Sequence, residues 1–209
     1  MSPPTPLSPA NRADPAAPMP PDAPGAPRTL LDDAGIARSL LRIAHEIVER
    51  CDEPERLYLV AIPNGGVPLA RRLAQNLRDV ADLVVPVGVL DTTLYRDDLQ
   101  TTGERPALRR TEMPSAVDDH VVVLVDDVVK TGRTIRAAMD ALMDFGRPSA
   151  VQVVGLVDRG HRELPIKLDY VGKNVPTNPG EVVRLQGRAG GLEPPLEVVV
   201  VPAAAEGRP

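Results

Sequence analysis

The sequence predicts an α/β fold, a parallel twisted sheet flanked by helices on both faces, and three observations carry that prediction. Residues 121–125 form an uninterrupted Val/Leu run, the pattern of a strand buried on both faces of a parallel sheet. Strand-like and helix-like segments alternate through the middle of the chain, which favours right-handed crossovers in a doubly wound sheet. The 209 residues, 43% of them hydrophobic, suit one domain with a sizeable core. In sheets of this kind ligands sit outside the carboxyl ends of the strands.

The elements follow in chain order. Residues 1–28 are proline-rich with little apolar periodicity and read as a disordered tail, leaving a domain over 29–202 and a flexible end over 203–209. From residue 29 to 50 the chain reads as helix, with Leu40, Ile43, Ala44, Ile47 and Val48 in one apolar stripe. Residues 57–62 are a short strand closed by Pro63-Asn64-Gly65-Gly66. A helix follows, with Pro68 in its first turn and Leu69, Ala70, Leu73 and Leu77 facing inward. Residues 83–90 read as a strand, and 92–117 as a long polar excursion of the functional or mobile kind. After the strand at 121–125 comes a helix over 134–145, with Ile135, Ala138, Met139 and Leu142 on one side. Residues 151–157 give another strand, and 182–185 and 197–201 two late ones.

Several function classes drop out at this stage. The formal charge of −5 gives no global case for nucleic acid, and in the tail Arg12 is outweighed by Asp14 and Asp22, so no basic domain is hidden behind it. An RNA-binding role must therefore rest on a local patch. Cys51 is the only cysteine, which excludes disulfides and cysteine-rich metal sites and fits a cytoplasmic protein. The start lacks the basic and apolar segments of a signal peptide, and no apolar run approaches the length of a membrane span.

The chemistry concentrates in the segment from Val121 to Thr134. A buried strand ends in two adjacent acids, Asp126 and Asp127. A turn then runs through Val128, Val129, Lys130, Thr131, Gly132 and Arg133 into the helix at Thr134. Backbone N–H groups at that helix start, with the hydroxyls of Thr131 and Thr134, make a cradle for a dianionic phosphate. Gly132 lets the backbone come close. The two carboxylates lie one loop away, at the distance of a sugar ring, where acceptor-only groups suit the two hydroxyls of a ribose. A Walker A loop does not fit, because its glycine-to-lysine spacing is absent.

The string from Asp126 to Thr134 resembles the phosphoribosyl pyrophosphate motif of type I phosphoribosyltransferases. Further strings narrow the resemblance: Leu94-Tyr-Arg-Asp-Asp-Leu99, the helix from Thr134 to Leu142, Val157-Asp-Arg-Gly-His-Arg-Glu-Leu-Pro-Ile166, Asp169-Tyr-Val-Gly-Lys-Asn174 and Arg42-Ile-Ala-His-Glu46. Together they are similar to the PyrR family, bifunctional pyrimidine-operon regulators and uracil phosphoribosyltransferases, over about residues 30–185. The resemblance implies a type I phosphoribosyltransferase fold with a small hood and a long flexible loop, a homodimer or higher homo-oligomer, and transfer of phosphoribosyl to uracil. The products are UMP and pyrophosphate, with Mg2+ carried on the pyrophosphate and bound directly by no protein residue. By position, Asp126 and Asp127 would hold the ribose, residues 130–134 the 5′-phosphate, and Arg96 would close over the reacting centre.

The resemblance also implies an RNA partner, a hairpin in the messenger leader that is bound in response to UMP or UTP and controls transcription attenuation. His45, Arg162, Lys167 and Lys173 would form the RNA face, with Arg42 and Arg50 nearby. Arginine, lysine and histidine are the residue types that meet RNA phosphates and splayed bases. The chain departs from the family in three places. Asn64, beside Gly65 in the pyrophosphate loop, stands where relatives carry arginine and cannot supply its charge or fork, so weakened transfer is expected. Lys130 stands where tyrosine is usual; it either replaces the lost charge or points to solvent. Leu41 replaces a threonine hydroxyl, and only Tyr58, Tyr95, Phe145 and Tyr170 could stack on bases. The alternative is a nucleobase-salvage transferase without RNA binding; a ligand-binding regulator without catalysis is a third reading.

Overall fold

The computed structural model describes residues 27–97, 110–178, 180–187 and 191–202. Most of the expected tail, the flexible end, and residues 98–109 of the long excursion lie outside the described residues. A five-stranded parallel sheet forms the centre: β2 (Leu57–Ala61), β3 (Val87–Val89), β4 (Val121–Val129), β5 (Ala150–Asp158) and β6 (Tyr170–Asn174), in the order β3-β2-β4-β5-β6. Among the described residues, α1 (Asp33–Arg50), α2 (Gly66–Ala81) and α3 (Arg133–Leu142) are the α-helices that cover it. A second sheet, antiparallel in the order β1-β8-β7, is built from β1 (Arg28–Leu31), β7 (Glu181–Gly187) and β8 (Leu196–Pro202). This is the hood.

Alternation along the strands sorts the core into two layers. Leu57, Leu59 and Ala61 of β2 and Val123 and Val125 of β4 pack with Ile36, Leu40, Ile43 and Ile47 of α1 and Leu69, Leu73 and Leu77 of α2. Tyr58, Val60, Val122 and Leu124 point the other way, against Ile135, Ala138 and Leu142 of α3. A pleat of period two puts successive residues on opposite faces, so a continuous apolar run is what burial on both faces demands. Among the described residues no helix is long and apolar enough to cross a membrane.

Four expectations are corrected. Residues 28–31 are not the start of the first helix but strand β1, paired with Val198–Val200 of β8; the helix begins after Asp32, whose carboxylate accepts from the Gly35 N–H at 2.7 Å. A cap of this kind sets a helix start more firmly than apolar periodicity does. The strand expected over 83–90 is only Val87–Val89. The central strand does not stop at the acids: β4 runs on to Val129, still in register with Val157 and Asp158 of β5. Strand β6 lies in a segment read only as a family string.

The sheet order explains where a ligand can sit. From β2 the chain crosses through α2 to β3 on one side, whereas β4 lies on the other side of β2. The β2–β4 boundary is a topological switch point, where the loops leave in opposite directions and a crevice opens at the carboxyl ends. Both motif loops start there.

Candidate active site

The β2 end supplies one wall. Ile62 is held to β4 by its N–H bond to the Val125 carbonyl at 2.9 Å, and the chain turns through Pro63–Gly65 into α2. The turn needs its glycines. A Cβ on Gly65 would lie 2.3 Å from the Asp127 carboxyl carbon, and one on Gly66 would lie 2.3 Å from the Val125 carbonyl oxygen. The loop expected to bind pyrophosphate therefore packs directly against Asp127.

Asp126 and Asp127 occupy successive positions of β4. Asp126 is buried, and its Oδ1 accepts the Asp127 N–H at 3.0 Å. Burial, and then the neighbouring Asp127, push its carboxyl well above the usual carboxylate range, with the charge of Arg96 opposing. Burial also raises Asp127. Arg96, at the end of the short turn Thr93–Tyr95, is thereby placed within electrostatic reach of the pair.

The phosphate cradle follows. Val128 and Val129 belong to β4, not to the turn, which is confined to residues 130–132. Gly132 has φ +91° and caps α3 without a side-chain bond, and the Arg133 N–H reaches the Thr131 Oγ1 at 3.3 Å. The first-turn N–H groups of a helix have no intrahelical partners, so those beyond Arg133 are available to an anion. The turn is tied from behind. The Thr131 carbonyl accepts from Glu163 and Leu164 at 3.0 and 3.2 Å. Arg162 donates to the Lys130 carbonyl at 2.7 Å, to Ile166 at 3.0 Å and to the Asp158 carboxylate at 2.9 Å. Arg133 does not enter the cradle by its side chain; it pairs with Asp97 and Glu163 at 2.8 and 2.7 Å.

Between these loops and the hood lies a cleft of about 380 Å3. Asn64, Gly65, Asp127, Lys130 and Arg159 line it from the parallel sheet, and Val183, Leu185 and Leu192 from the hood. Lys130 is exposed in that cleft, and its ammonium has no partner among the described residues. Lys130 and Asn64 thus line the same cleft.

The expected RNA residues divide. His45 is exposed on α1, three residues on from Arg42 and so on the same helix face. Arg42 reaches across to the Val171 and Gly172 carbonyls at 2.9 and 2.8 Å, and Lys173 on β6 bonds the Leu30 carbonyl at 3.0 Å. Arg50 bonds the Asp169 carbonyl at 3.1 Å and lies over the Tyr170 ring. The α1–β6 edge therefore gathers His45, Arg42, Lys173 and Arg50, while Lys167 is exposed on the loop between β5 and β6. Arg162 is different in kind, because its guanidinium is committed to the phosphate turn. Sequence reasoning missed Arg159, Thr177 and the hood residues Val183, Leu185 and Leu192. Arg159 lay inside a string already singled out. The hood residues carried no local signal, because only the pairing of β7 with β8 aims them at the cleft.

An acid pair on a strand, a glycine-led helix start and a crevice at the switch point are the features of a phosphoribosyl transferase fold. The family model for the phosphoribosyl transferase domain matches residues 28–186. Among solved structures, a hypoxanthine phosphoribosyl transferase of Trypanosoma cruzi superposes with a TM-score of 0.65 at 21% identity, covering 89% of this chain and 96% of that one. One from Staphylococcus aureus gives 0.63 at 18% identity, covering 87% and 94%. These show the fold. Among curated relatives, the bifunctional protein PyrR of Pelotomaculum thermopropionicum is 58% identical over 157 residues, 75% of this chain and 87% of that protein. That of Streptomyces coelicolor is 58% identical over 160 residues, 76% and 82% of the two chains. The chain belongs to the PyrR family of phosphoribosyl transferase domain proteins.

Proposed function

We propose that this protein is a pyrimidine-sensing RNA-binding regulator of pyrimidine-biosynthesis transcription that also joins uracil to phosphoribosyl pyrophosphate. Family membership supports it. The observation that carries it is the placing of Asp126 and Asp127 between a glycine-led helix start and the cleft. The two carboxylates accept from the ribose hydroxyls, and the turn 130–134 binds the 5′-phosphate through N–H groups and the hydroxyls of Thr131 and Thr134. Asn64 and Gly65 offer backbone N–H groups to the pyrophosphate, and Arg96 and Lys130 supply positive charge nearby.

The C1′–O bond breaks through an oxocarbenium-like state. The N1 of uracil then bonds to C1′ and releases its proton, and pyrophosphate leaves with the bond pair. Catalysis requires a stabilised leaving group and exclusion of water rather than a protein nucleophile. Mg2+ would ride on the pyrophosphate in the cleft that Asn64, Gly65 and Asp127 line, bound directly by no protein residue, and would supply charge to the departing oxygens. Asn64 makes this activity weak. The RNA face is the α1–β6 edge with His45, Lys167 and Lys173, and Arg162 acts through the phosphate turn. We place the protein in the cytoplasm as a homodimer or larger homo-oligomer.

A gel-shift titration against the pyrimidine-operon leader RNA of the same source, with and without UMP, tests the regulator. Tight binding strengthened by UMP is expected. No retention in either condition, with turnover of uracil intact, would move the protein to the salvage-enzyme reading. That reading is favoured by Leu41, 43% exposed where the RNA face would use a hydroxyl.

A further inference from the structure

Tyr95, beside Arg96, and Arg136, on α3, belong to strings that the sequence singles out, and neither has a role in the site described above. The two residues meet in the structure. We propose that Arg136 is a positioning residue for phosphoribosyl transfer: it holds the Tyr95 carbonyl and thereby sets Arg96 toward the acid pair and the pyrophosphate. The inference rests on the reading of Arg96 as a charge at the reacting centre. Arg136 Nη2 donates to the Tyr95 carbonyl oxygen at 2.8 Å, and its Nη1 pairs with the Asp140 carboxylate at 3.0 Å. The Tyr95 hydroxyl donates to the Asp144 carboxylate. One residue beyond Arg96, Asp97 pairs with Arg133 at 2.8 Å. Arg96 is thus bracketed by two residues that are both tied to the same helix and the turn that follows it.

The spacing along α3 makes this possible. Arg133, Arg136 and Asp140 stand at i, i+3 and i+7, on one face of the helix, and Asp144 follows four residues on in the short turn Met143–Phe145. Apolar burial does little to place the stretch they hold: Tyr95 packs at the edge of the α3-side core, but Leu94 is 78% exposed. Within the stretch, Asp91 Oδ1 accepts the Thr93 N–H at 2.9 Å, and the Tyr95 N–H bonds the Thr92 carbonyl at 3.0 Å. The turn is therefore stiff in itself, and its polar contacts to α3 decide where it sits. Arg136 Nε is buried with no partner among the described residues. An unpaired buried donor works against stability, which points to a role for this arginine other than stability.

The consequence for the reaction follows from where α3 begins. The helix starts directly after the turn 130–132, so it carries the phosphate cradle at one end and the anchor of Arg96 along its side. A single helix then sets the distance between the 5′-phosphate and the cation. Arg96 is extended, with φ −81° and ψ 129°, and its charge opposes the raised carboxyl of Asp126. A charge placed before the substrate arrives stabilises the departing pyrophosphate without reorganisation, and a small misplacement loses much of that effect. The bond from Arg136 to the Tyr95 carbonyl has a charged donor, which makes it a strong one for holding backbone.

The test uses the full chain with Arg136→Met, Arg136→Lys and Tyr95→Phe, each alone and combined with Arg96→Ala. It reads kcat for uracil transfer and, by calorimetry, the affinities for phosphoribosyl pyrophosphate with Mg2+ and for UMP, which carries no pyrophosphate. Arg136→Met keeps the aliphatic stem and loses the donors. It is expected to lower kcat about 10- to 100-fold and phosphoribosyl pyrophosphate affinity about tenfold, with UMP affinity unchanged. Arg136→Lys, which keeps a charged donor, should recover part of both. In the Arg96→Ala background Arg136→Met should have no further effect, because a residue that acts through another does not add to its loss. Equal losses in the two backgrounds, or a loss of UMP affinity matching that of phosphoribosyl pyrophosphate, overturns the proposal and makes Arg136 a strut of α3. Should Arg136→Met fail to fold, Tyr95→Phe decides by the same comparison at a smaller factor, since it removes only the bond to Asp144. If Arg96→Ala binds and turns over like the unaltered chain, the reading of Arg96 falls and takes the proposal with it. If the unaltered chain binds both ligands without turnover, the ratio of the two affinities decides.

Discussion

The Arg162 guanidinium holds the carbonyl oxygen of Lys130 at 2.7 Å, so the phosphate turn is fixed from behind by a residue beyond the next strand. The same side chain reaches Asp158 at the end of β5 and Ile166 beyond it. A cradle made of backbone N–H groups works only if its backbone is held still before the ligand arrives. Arg162 does that here, with the carbonyl of Thr131 tied to Glu163 and Leu164 in support.

Replacing Arg162 with alanine is therefore expected to weaken UMP and phosphoribosyl pyrophosphate binding by about tenfold and to cost roughly 2–3 kcal/mol of stability, from lost hydrogen bonds of a charged donor. Calorimetry with UMP and a thermal melt check it. Weakened RNA binding with unchanged UMP affinity would show that the side chain serves RNA alone.

Gly65→Ala brings a methyl to within 2.3 Å of the Asp127 carboxyl carbon and 2.6 Å of its Cβ. The acid must rotate or the loop must move, an overpacking cost of about 1–3 kcal/mol. The expected result is a KM for phosphoribosyl pyrophosphate raised at least about tenfold, with the chain still folded. An unchanged KM would mean that Asp127 is not held against this loop in solution.

The raised carboxyl of Asp126 gives a pH prediction. An acid raised in the folded state keeps its proton where the unfolded chain has lost it. The folded state then binds more protons, and stability falls as pH rises from the ordinary carboxylate range through the raised value. Asp126→Asn removes this penalty. Melting should show the variant matching the natural chain near pH 4 and exceeding it near pH 7.5, at the expense of ribose binding. A difference independent of pH would refute the assignment.

Asn64 and Lys130 line one cleft, so a charge added at the first can be compared with a charge removed at the second in a double substitution. Asn64→Arg should raise kcat/KM for phosphoribosyl pyrophosphate about tenfold, since a guanidinium binds pyrophosphate through paired donors. Lys130→Ala should lower it, and less so when combined with Asn64→Arg. Additive effects in steady-state kinetics would show that the two positions serve different parts of the substrate.

Much of the fold could be read from residue order alone. The apolar run of β4, the stripe of Leu40, Ile43, Ala44 and Ile47 on α1, and Leu69, Leu73 and Leu77 on α2 are local patterns, each created by burial of a single element. The acid pair and the turn through Gly132 were legible for the same reason: the chemistry lies within nine consecutive residues. Partners distant in the chain were not legible. Residues 28–31 look like the start of a helix until β8 is there to pair with them, and β6 becomes a strand by adding to the edge of β5.

The sequence by itself determined the parallel α/β core, the place of the phosphate cradle and the carboxylates beside it, because local periodicity and a contiguous motif carry that information. Tertiary structure alone decided that Arg162 braces the cradle, that Lys130 shares a cleft with Asn64, and that Arg159 is buried beneath the hood. The physical reason is range. A long cation has many possible acceptors along the chain, and only the packing of β5, β7 and the loop after β4 chooses among them.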